Sequence, residues 1–155
     1  MKPGLGFDTA ALVSLGHTDL IDAIIDNHTV FTTNGVINEL KEIASRDDPD
    51  GEAAERWSEH IDRITIISDV LTHPAEDGVF NICRDRNIPI VTDDVRAISR
   101  FNKSIRCFFS VHVVYILYKK GIISRKNAIA SCEEMRLKRT WKDNVIWIVA
   151  RTFFI

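Results

Sequence analysis

Short apolar runs alternate along this chain with segments whose apolar residues recur every three or four positions. The first pattern predicts strands and the second predicts amphipathic helices. The predicted strands are Gly4–Phe7, Thr29–Thr32, Arg63–Ser68, Ile88–Val91 and Arg106–Ser110. The predicted helices are Thr9–Leu15, Asp19–Asp26, one capped by Asn34, a surface helix at Gly51–Ile61, one from Pro74 to Arg86, Val95–Arg100, Val111–Lys120, one from Ser124 to Arg139, and the tail Asn144–Ile155. Because helices separate the strands, we expect an α/β fold: a three-layer α/β/α sandwich around a central, mostly parallel sheet of about five strands, in a single domain over residues 1–155.

Carboxylates follow two of these predicted strands directly. Asp8 comes after the first strand, and Asp93 and Asp94 come after the fourth, separated from it by Thr92. Ligands of open α/β sheets collect at the carboxyl ends of the strands. We therefore expect these acids to lie at one edge of the sheet.

Two predicted helices add acids on apolar faces. Glu39 shares a helix face with Ile43, and Glu76 shares one with Cys83. A carboxylate within an apolar stripe is not expected to be a solvated surface charge. Asp77, on a more polar face of its helix, is the alternative to Glu76. Capping or surface exposure explains each acid taken alone, but the convergence of four acids favours a functional site.

Such a cluster indicates a bound cation. Burying one bare carboxylate is costly, and burying several together costs more because like charges repel. A divalent cation among them removes that cost, and carboxylate oxygens suit Mg²⁺ or Mn²⁺. The acids therefore predict metal-dependent phosphodiester chemistry.

The charges are distributed unevenly. The net charge is −2, yet residues 1–78 hold 5 Lys and Arg against 16 Asp and Glu, and residues 79–155 hold 15 against 6. An acidic metal pocket beside a basic platform for phosphates would produce this asymmetry. Two halves that neutralise each other across the fold would produce it equally well.

The remaining composition narrows the class of protein. The three cysteines are widely spaced, which predicts reduced thiols in the core and a cytoplasmic protein. The longest apolar runs fall short of the roughly 18–20 residues of a membrane span, so no membrane partner is expected. The five histidines lack the spacing of a zinc site.

Three stretches of the chain resemble one family. FDTAALVSLG, NGVINELKEIA and AEDGVFNICRDRNIPIVTDDVRAISR are similar in order and spacing to the motifs of PIN-domain ribonucleases, which include VapC-type toxins. The stretch VHVVYILYKKGIISRKNAIASCEEMRLKRTWKDN is similar to the C-terminal part of one prokaryotic PIN subgroup. The resemblance covers nearly the whole chain and implies a metal-dependent endoribonuclease that uses Mg²⁺ or Mn²⁺.

The resemblance also implies roles for individual residues. Asp8, Glu39 and Glu76 match the first three family acids as metal ligands and catalytic groups. The fourth is Asp94 by TxD spacing from Thr92, or Asp93 by a variant of the subgroup. The residues expected to contact substrate are Thr9, Thr92, Arg96, Arg100, Lys103 and Arg106.

RNA is the implied substrate, and an antitoxin protein is the implied partner. The alternative is a PIN-like module with weak or lost catalysis that binds RNA or protein. Two alternatives, internal packing or a homodimer seam, account for the apolar segments at 107–118 and Val145–Ile155.

Overall fold

The computed structural model describes residues 2–68, 75–141 and 144–154, with the side chains of residues 75–77 left out. Five strands are present in this part of the chain: β1 (Gly4–Phe7), β2 (Thr29–Thr33), β3 (Thr65–Ile67), β4 (Ile90–Val91) and β5 (Cys107–Phe108). The α-helices there are α1 (Thr9–Gly16), α2 (Ile21–Asn27), α3 (Asn34–Ala44), α4 (Pro49–Ser58), α5 (Ala75–Arg86), α6 (Val95–Phe101), α7 (Ser110–Lys119), α8 (Arg125–Lys138) and α9 (Val145–Phe153). None of the described helices is long and apolar enough to cross a membrane.

The strands form one parallel sheet in the order β3-β2-β1-β4-β5. Its helices complete the three-layer α/β/α architecture that the sequence predicts, and the predicted fold class is confirmed. The chain moves outward from β1 to one side through β2 and β3, and to the other side through β4 and β5. The gap between β1 and β4 is therefore the topological switch point, where ligands of such sheets bind.

Helix α4 is part of the core, and its prediction as a surface helix is wrong. Trp57 is fully buried, and its indole N–H donates to the Leu12 carbonyl of α1 at 2.6 Å. A side chain at Gly51 would meet the Arg46 carbonyl, since a Cβ there would lie 2.2 Å from that oxygen. The close approach at Gly51 fixes the first turn of α4, including Asp50, beside the end of α3.

Other boundaries shift for local reasons. Thr33, rather than Asn34, caps α3, because its hydroxyl accepts the Val36 N–H at 3.2 Å. The last strand is shorter than predicted because Ser110 already begins α7.

Three helices end in the same backbone motif with different residues. Asn87, Gly121 and Thr140 follow α5, α7 and α8 with φ values of 54°, 75° and 55°. After α8, Trp141 N–H donates back to the Arg136 carbonyl at 2.9 Å, and Thr140 N–H donates to Leu137. This is a Schellman ending, in which glycine is the usual left-handed residue. A β-branched threonine is strained there.

The cysteines are free thiols, as the sequence predicts. Burial raises the pKa of Cys83 and Cys132 to about 12. Both are therefore protonated packing residues at neutral pH.

Candidate active site at the carboxyl edge of the sheet

A cavity of about 410 Å³ opens at the carboxyl edge of the sheet, beside the end of β1. Its lining residues are Asp8, Thr9, Ala10, Val13, Glu39, Ile43, Arg46, Asp50, Asp94 and Arg139. We call it the acidic cavity, because its carboxyl groups outnumber its guanidinium groups two to one. Three of the four acids belong to the set predicted from the sequence.

Asp8 is buried and is fixed by the first turn of α1 and by the residue that follows β4. It caps α1, since its Oδ1 accepts the Ala11 N–H at 2.9 Å. Its Oδ2 accepts a hydrogen bond from the Thr92 hydroxyl. The register that pairs Phe7 with Val91 places Thr92 beside Asp8, so the parallel pairing of β1 and β4 builds this contact.

Asp94 lies on the other side of the same threonine. Its backbone N–H donates to Thr92 Oγ1 at 3.0 Å, so one hydroxyl links Asp8 and Asp94. Its Oδ1 caps α6 by accepting the N–H groups of Arg96 and Ala97 at 2.9 and 3.3 Å. Within the described part of the chain, no donor bonds to its Oδ2.

Asp93 has a different environment from its neighbour. Its two oxygens accept the backbone N–H and the hydroxyl of Ser110 at 2.8 and 2.7 Å, which ties the end of β4 to the start of α7. Burial raises the pKa of Asp93, while the bonds from Ser110 oppose that rise. Of the two alternatives for the fourth acid, Asp94 is the one that lines the acidic cavity.

Glu39 reaches the cavity from α3. Thr9, the residue after Asp8, donates its hydroxyl to Glu39 Oε2 at 2.6 Å. The expectation that Glu39 is buried is wrong: Val36, Ile37 and Leu40 form the buried stripe of α3, and Glu39 lies at its exposed margin. The carboxylate keeps contact with water because the cavity opens there.

Two other predicted acids cannot be placed in the site. Glu76 and Asp77 lie in the first turn of α5, and their side chains are outside the described residues.

The predicted basic residues lie outside the acidic cavity. Arg96 is exposed in the first turn of α6, next to Asp94, and Arg100 is exposed nearer the other end of that helix. Lys103 and Arg106 line a separate cavity of about 420 Å³ at the opposite, amino edge of the sheet, together with Asn87. Helix α6 carries the chain back across the sheet before β5, which separates these cations from Asp94.

Different cations line the acidic cavity, and the sequence analysis missed them. Arg46 follows α3, and Arg139 caps the end of α8. Arg139 Nη1 donates to Asp50 Oδ2 at 2.9 Å, and His17 Nε2 lies 2.8 Å from Asp50 Oδ1. No periodic or motif signal marks these residues, since Asp50 sits in a run of acids and Arg139 in a run of cations.

Burial and hydrogen bonds determine the protonation states of Asp50 and His17. Burial opposes ionisation of Asp50, but the bonds from His17 and Arg139 prevail and lower its pKa. Burial lowers the pKa of His17 despite the nearby carboxylate. At neutral pH the acceptor is therefore an ionised Asp50, and His17 is neutral with its proton on Nε2.

The donor chemistry of the acidic cavity fits Mg²⁺ or Mn²⁺, which prefer oxygen ligands. Glu39 and Asp94 each have one carboxylate oxygen without a donor among the described residues. The described side chains nevertheless contain no group of three or more acids, histidines or cysteines close enough to hold an ion.

Comparisons with known proteins bear on the fold alone. A scan against protein-family models gave no match, and a search of curated proteins gave none either. The chain is similar to a solved domain of a functionally unknown protein from Methanocaldococcus jannaschii DSM 2661, with 15% identity and a TM-score of 0.51. The likeness covers 69% of this chain and 90% of that one, and at such identity it shows a shared fold.

Proposed function

We propose that this protein is a divalent-metal-dependent endoribonuclease of the PIN type, which hydrolyses phosphodiester bonds in single-stranded RNA. One observation carries the proposal. Asp8, Glu39 and Asp94 come from three distant chain segments and line one cavity at the carboxyl edge of a parallel sheet. That edge is where α/β folds hold their ligands.

The chain's own groups orient these acids. Asp8 and Asp94 each cap a helix N-terminus, where backbone N–H groups and the helix dipole favour a negative charge. Thr92 fixes Asp8, and Thr9 fixes Glu39. These contacts restrict the freedom of each carboxylate, which lowers the cost of drawing the three acids together around an ion.

Asp8, Glu39 and Asp94 are the residues that would hold the ion, with Glu76 as the fourth ligand that the family resemblance implies. When bound, Mg²⁺ or Mn²⁺ would supply a Lewis acid that neutralises phosphate charge and lowers the pKa of an attacking water. Arg46 and Arg139 line the same cavity, where their guanidinium groups could contact a phosphate that arrives with the cation.

Cleavage of single-stranded RNA by the purified chain tests the proposal. We expect cleavage with Mn²⁺, none with a chelator, and a loss of at least about 100-fold in Asp8→Asn. Asparagine caps helices as well as aspartate does, so the variant should fold. Asp62→Asn, which changes an exposed acid outside the cavity, is the matched control and should cleave like wild type.

Mn²⁺ should also raise the melting temperature of wild type, because it binds the native state alone, and this rise should vanish in Asp8→Asn. Equal cleavage by wild type and Asp8→Asn would refute the assignment of the cavity. RNA binding without any metal-dependent cleavage would favour the catalytically weak binding module.

The antitoxin remains a prediction from the resemblance, and the homodimer remains a prediction from the apolar segments of the sequence. The molecular mass of the purified chain in solution, alone and with the product of any small reading frame directly upstream, tests both.

A further inference from the structure

Arg139 reaches the acidic cavity from the end of α8, far along the chain from the predicted acids. Its side chain is 22% exposed, and among the described residues it makes one ion pair, with Asp50. A guanidinium carries five N–H donors. Within the described residues only Nη1 has an acceptor, so the other donors are available to a ligand in the cavity that Arg139 lines.

Spare donors of this kind point to a ligand. Among the described residues, Ser14 Oγ is the one buried side-chain polar atom without a partner, so water reaches these donors, and a phosphate in the cavity could take the place of that water. The planar fork of a guanidinium matches two oxygens of one phosphate. The carboxylates that line the same cavity would repel a free phosphate, but not one that arrives with a divalent cation.

Asp50 fixes the position of this guanidinium through the ion pair between them. Its position in the first turn of α4 is fixed by the close packing at Gly51. Its two oxygens are occupied separately, one by His17 and one by Arg139. Because His17 is only 4% exposed, the carboxylate has little freedom to rotate, and the orientation of Arg139 is set before substrate binds.

From this geometry we propose that Arg139 binds a phosphate of the RNA in the acidic cavity, and that Asp50 is the positioning residue that orients it. The inference rests on the proposed function and names the group in that site that recognises the substrate backbone. A purely structural role, in which Arg139 clamps α8 to α4, makes different predictions for RNA binding.

The test compares Arg139→Gln, Arg139→Lys and Asp50→Asn with Lys138→Gln. Lys138 is the exposed neighbour of Arg139 on the same helix turn, so its variant removes one positive charge without touching the cavity. Affinity for a fluorescent single-stranded RNA is measured at several salt concentrations in the Asp8→Asn background, which stops cleavage. Values of kcat and KM with Mn²⁺ are measured for the same variants in the otherwise wild-type chain, and melting temperatures for all.

Loss of one phosphate contact should reduce the slope of log affinity against log salt by about 0.7. We expect that reduction in Arg139→Gln, with a 10- to 100-fold lower kcat/KM, on the order expected for a charge-assisted hydrogen bond. Arg139→Lys keeps the charge and should keep the slope, with an intermediate kcat/KM. Asp50→Asn should also keep the slope, and should lower kcat about threefold to tenfold because the guanidinium is present but mobile.

Two outcomes overturn the proposal. One is an Arg139→Gln variant whose slope and kcat/KM equal those of Lys138→Gln. The other is a lower melting temperature with unchanged slope and kcat/KM, which would mean that Arg139 only connects α8 to α4.

If Arg139→Gln fails to fold, an Arg139→Lys variant that matches wild type in kcat/KM refutes phosphate recognition by the guanidinium. If wild type binds RNA but does not cleave it, a reduced slope in Arg139→Gln keeps the phosphate contact and rejects the hydrolase.

Discussion

The two edges of the parallel sheet carry opposite chemistry. The acidic cavity at the carboxyl edge is lined by Asp8, Glu39 and Asp94, whereas the cavity at the amino edge is lined by Lys103 and Arg106. No carboxylate lines the amino-edge cavity among the described residues. The two cavities, one at each edge of the sheet, thus differ in the charge of their linings.

The difference teaches how each edge is assembled. Acids that directly follow a strand must lie at the carboxyl edge, because the strand ends there. Cations that precede a strand, as Arg106 precedes β5, must lie at the amino edge for the same reason. The cations that share the acidic cavity come from helix ends instead, and strand direction does not determine where those lie.

The largest expected effect separates two neighbours at the carboxyl edge. Asp94→Asn should lower cleavage about 100-fold or more, because it removes a ligand oxygen from the cavity. Asp93→Asn should stay within about threefold, because Asp93 bonds Ser110 and an amide can both accept the Ser110 N–H and donate to its hydroxyl. The cleavage rates of the two purified variants test whether Asp94, and not Asp93, is the fourth acid of the site. Equal losses of rate in the two variants would contradict that assignment.

A smaller effect compares cations at the two edges. Arg46→Gln should lower kcat/KM about tenfold, because Arg46 lines the acidic cavity and one charge-assisted contact is lost. Arg106→Gln removes the same charge from the amino edge and should stay within about twofold of wild type. A larger loss in Arg106→Gln than in Arg46→Gln would show that RNA is bound across the amino edge.

The sequence predicted the framework of the site because the framework follows from local rules. The alternation of strands and helices determined a parallel sheet, and Asp8, Thr92 and Asp94 follow strand ends directly. The burial of Glu39 was mispredicted because its face of α3 borders a cavity, and periodicity does not distinguish a core face from a cavity wall. The choice between Asp93 and Asp94 was open in the sequence, because it depends on where Ser110 lies in space.

The contacts of Arg139 could not be predicted in this way. Its partner Asp50 is 89 residues away along the chain, and neither residue sits in a periodic pattern that marks it. Their contact follows from the packing of α4 on α1. The sequence predicts a surface position for α4, so this packing is not expected. Because α4 is predicted as a surface helix, the contact between its Asp50 and Arg139 is missed.

Acid should destabilise the fold through two buried histidines, His17 and His28. Burial lowers the pKa of His17 and His28. Below about pH 6.5 the two histidines become protonated in the unfolded chain but stay neutral in the folded chain. The free energy of unfolding should therefore fall as the pH drops from there toward the folded pKa values. Each unit by which a pKa is lowered contributes about 1.4 kcal/mol.

The two histidines should differ in size of effect. Asp50 favours protonation of His17 and offsets its burial, whereas Lys120 and Lys2 add to the effect of burial at His28, which precedes β2 at the amino edge. The melting temperature should therefore depend less on pH, between pH 5 and pH 8, in His28→Gln than in His17→Gln. The reverse order would mean that the contact with Asp50 does not favour protonation of His17.

The smallest effect concerns the helix ends beside the two cavities. Asn87 ends α5 at the amino edge, and Thr140 ends α8 next to Arg139, both with positive φ. Asparagine tolerates that conformation and a β-branched residue does not. Thr140→Gly should therefore stabilise the fold by about 0.5–1 kcal/mol, after the larger entropy of unfolded glycine is subtracted. That gain corresponds to a melting temperature about 1–4 °C higher. Asn87→Gly should change the melting temperature less, because little strain is relieved there. Equal shifts would mean that Thr140 is not strained, and that the helix end carrying Arg139 is as relaxed as the one at the amino edge.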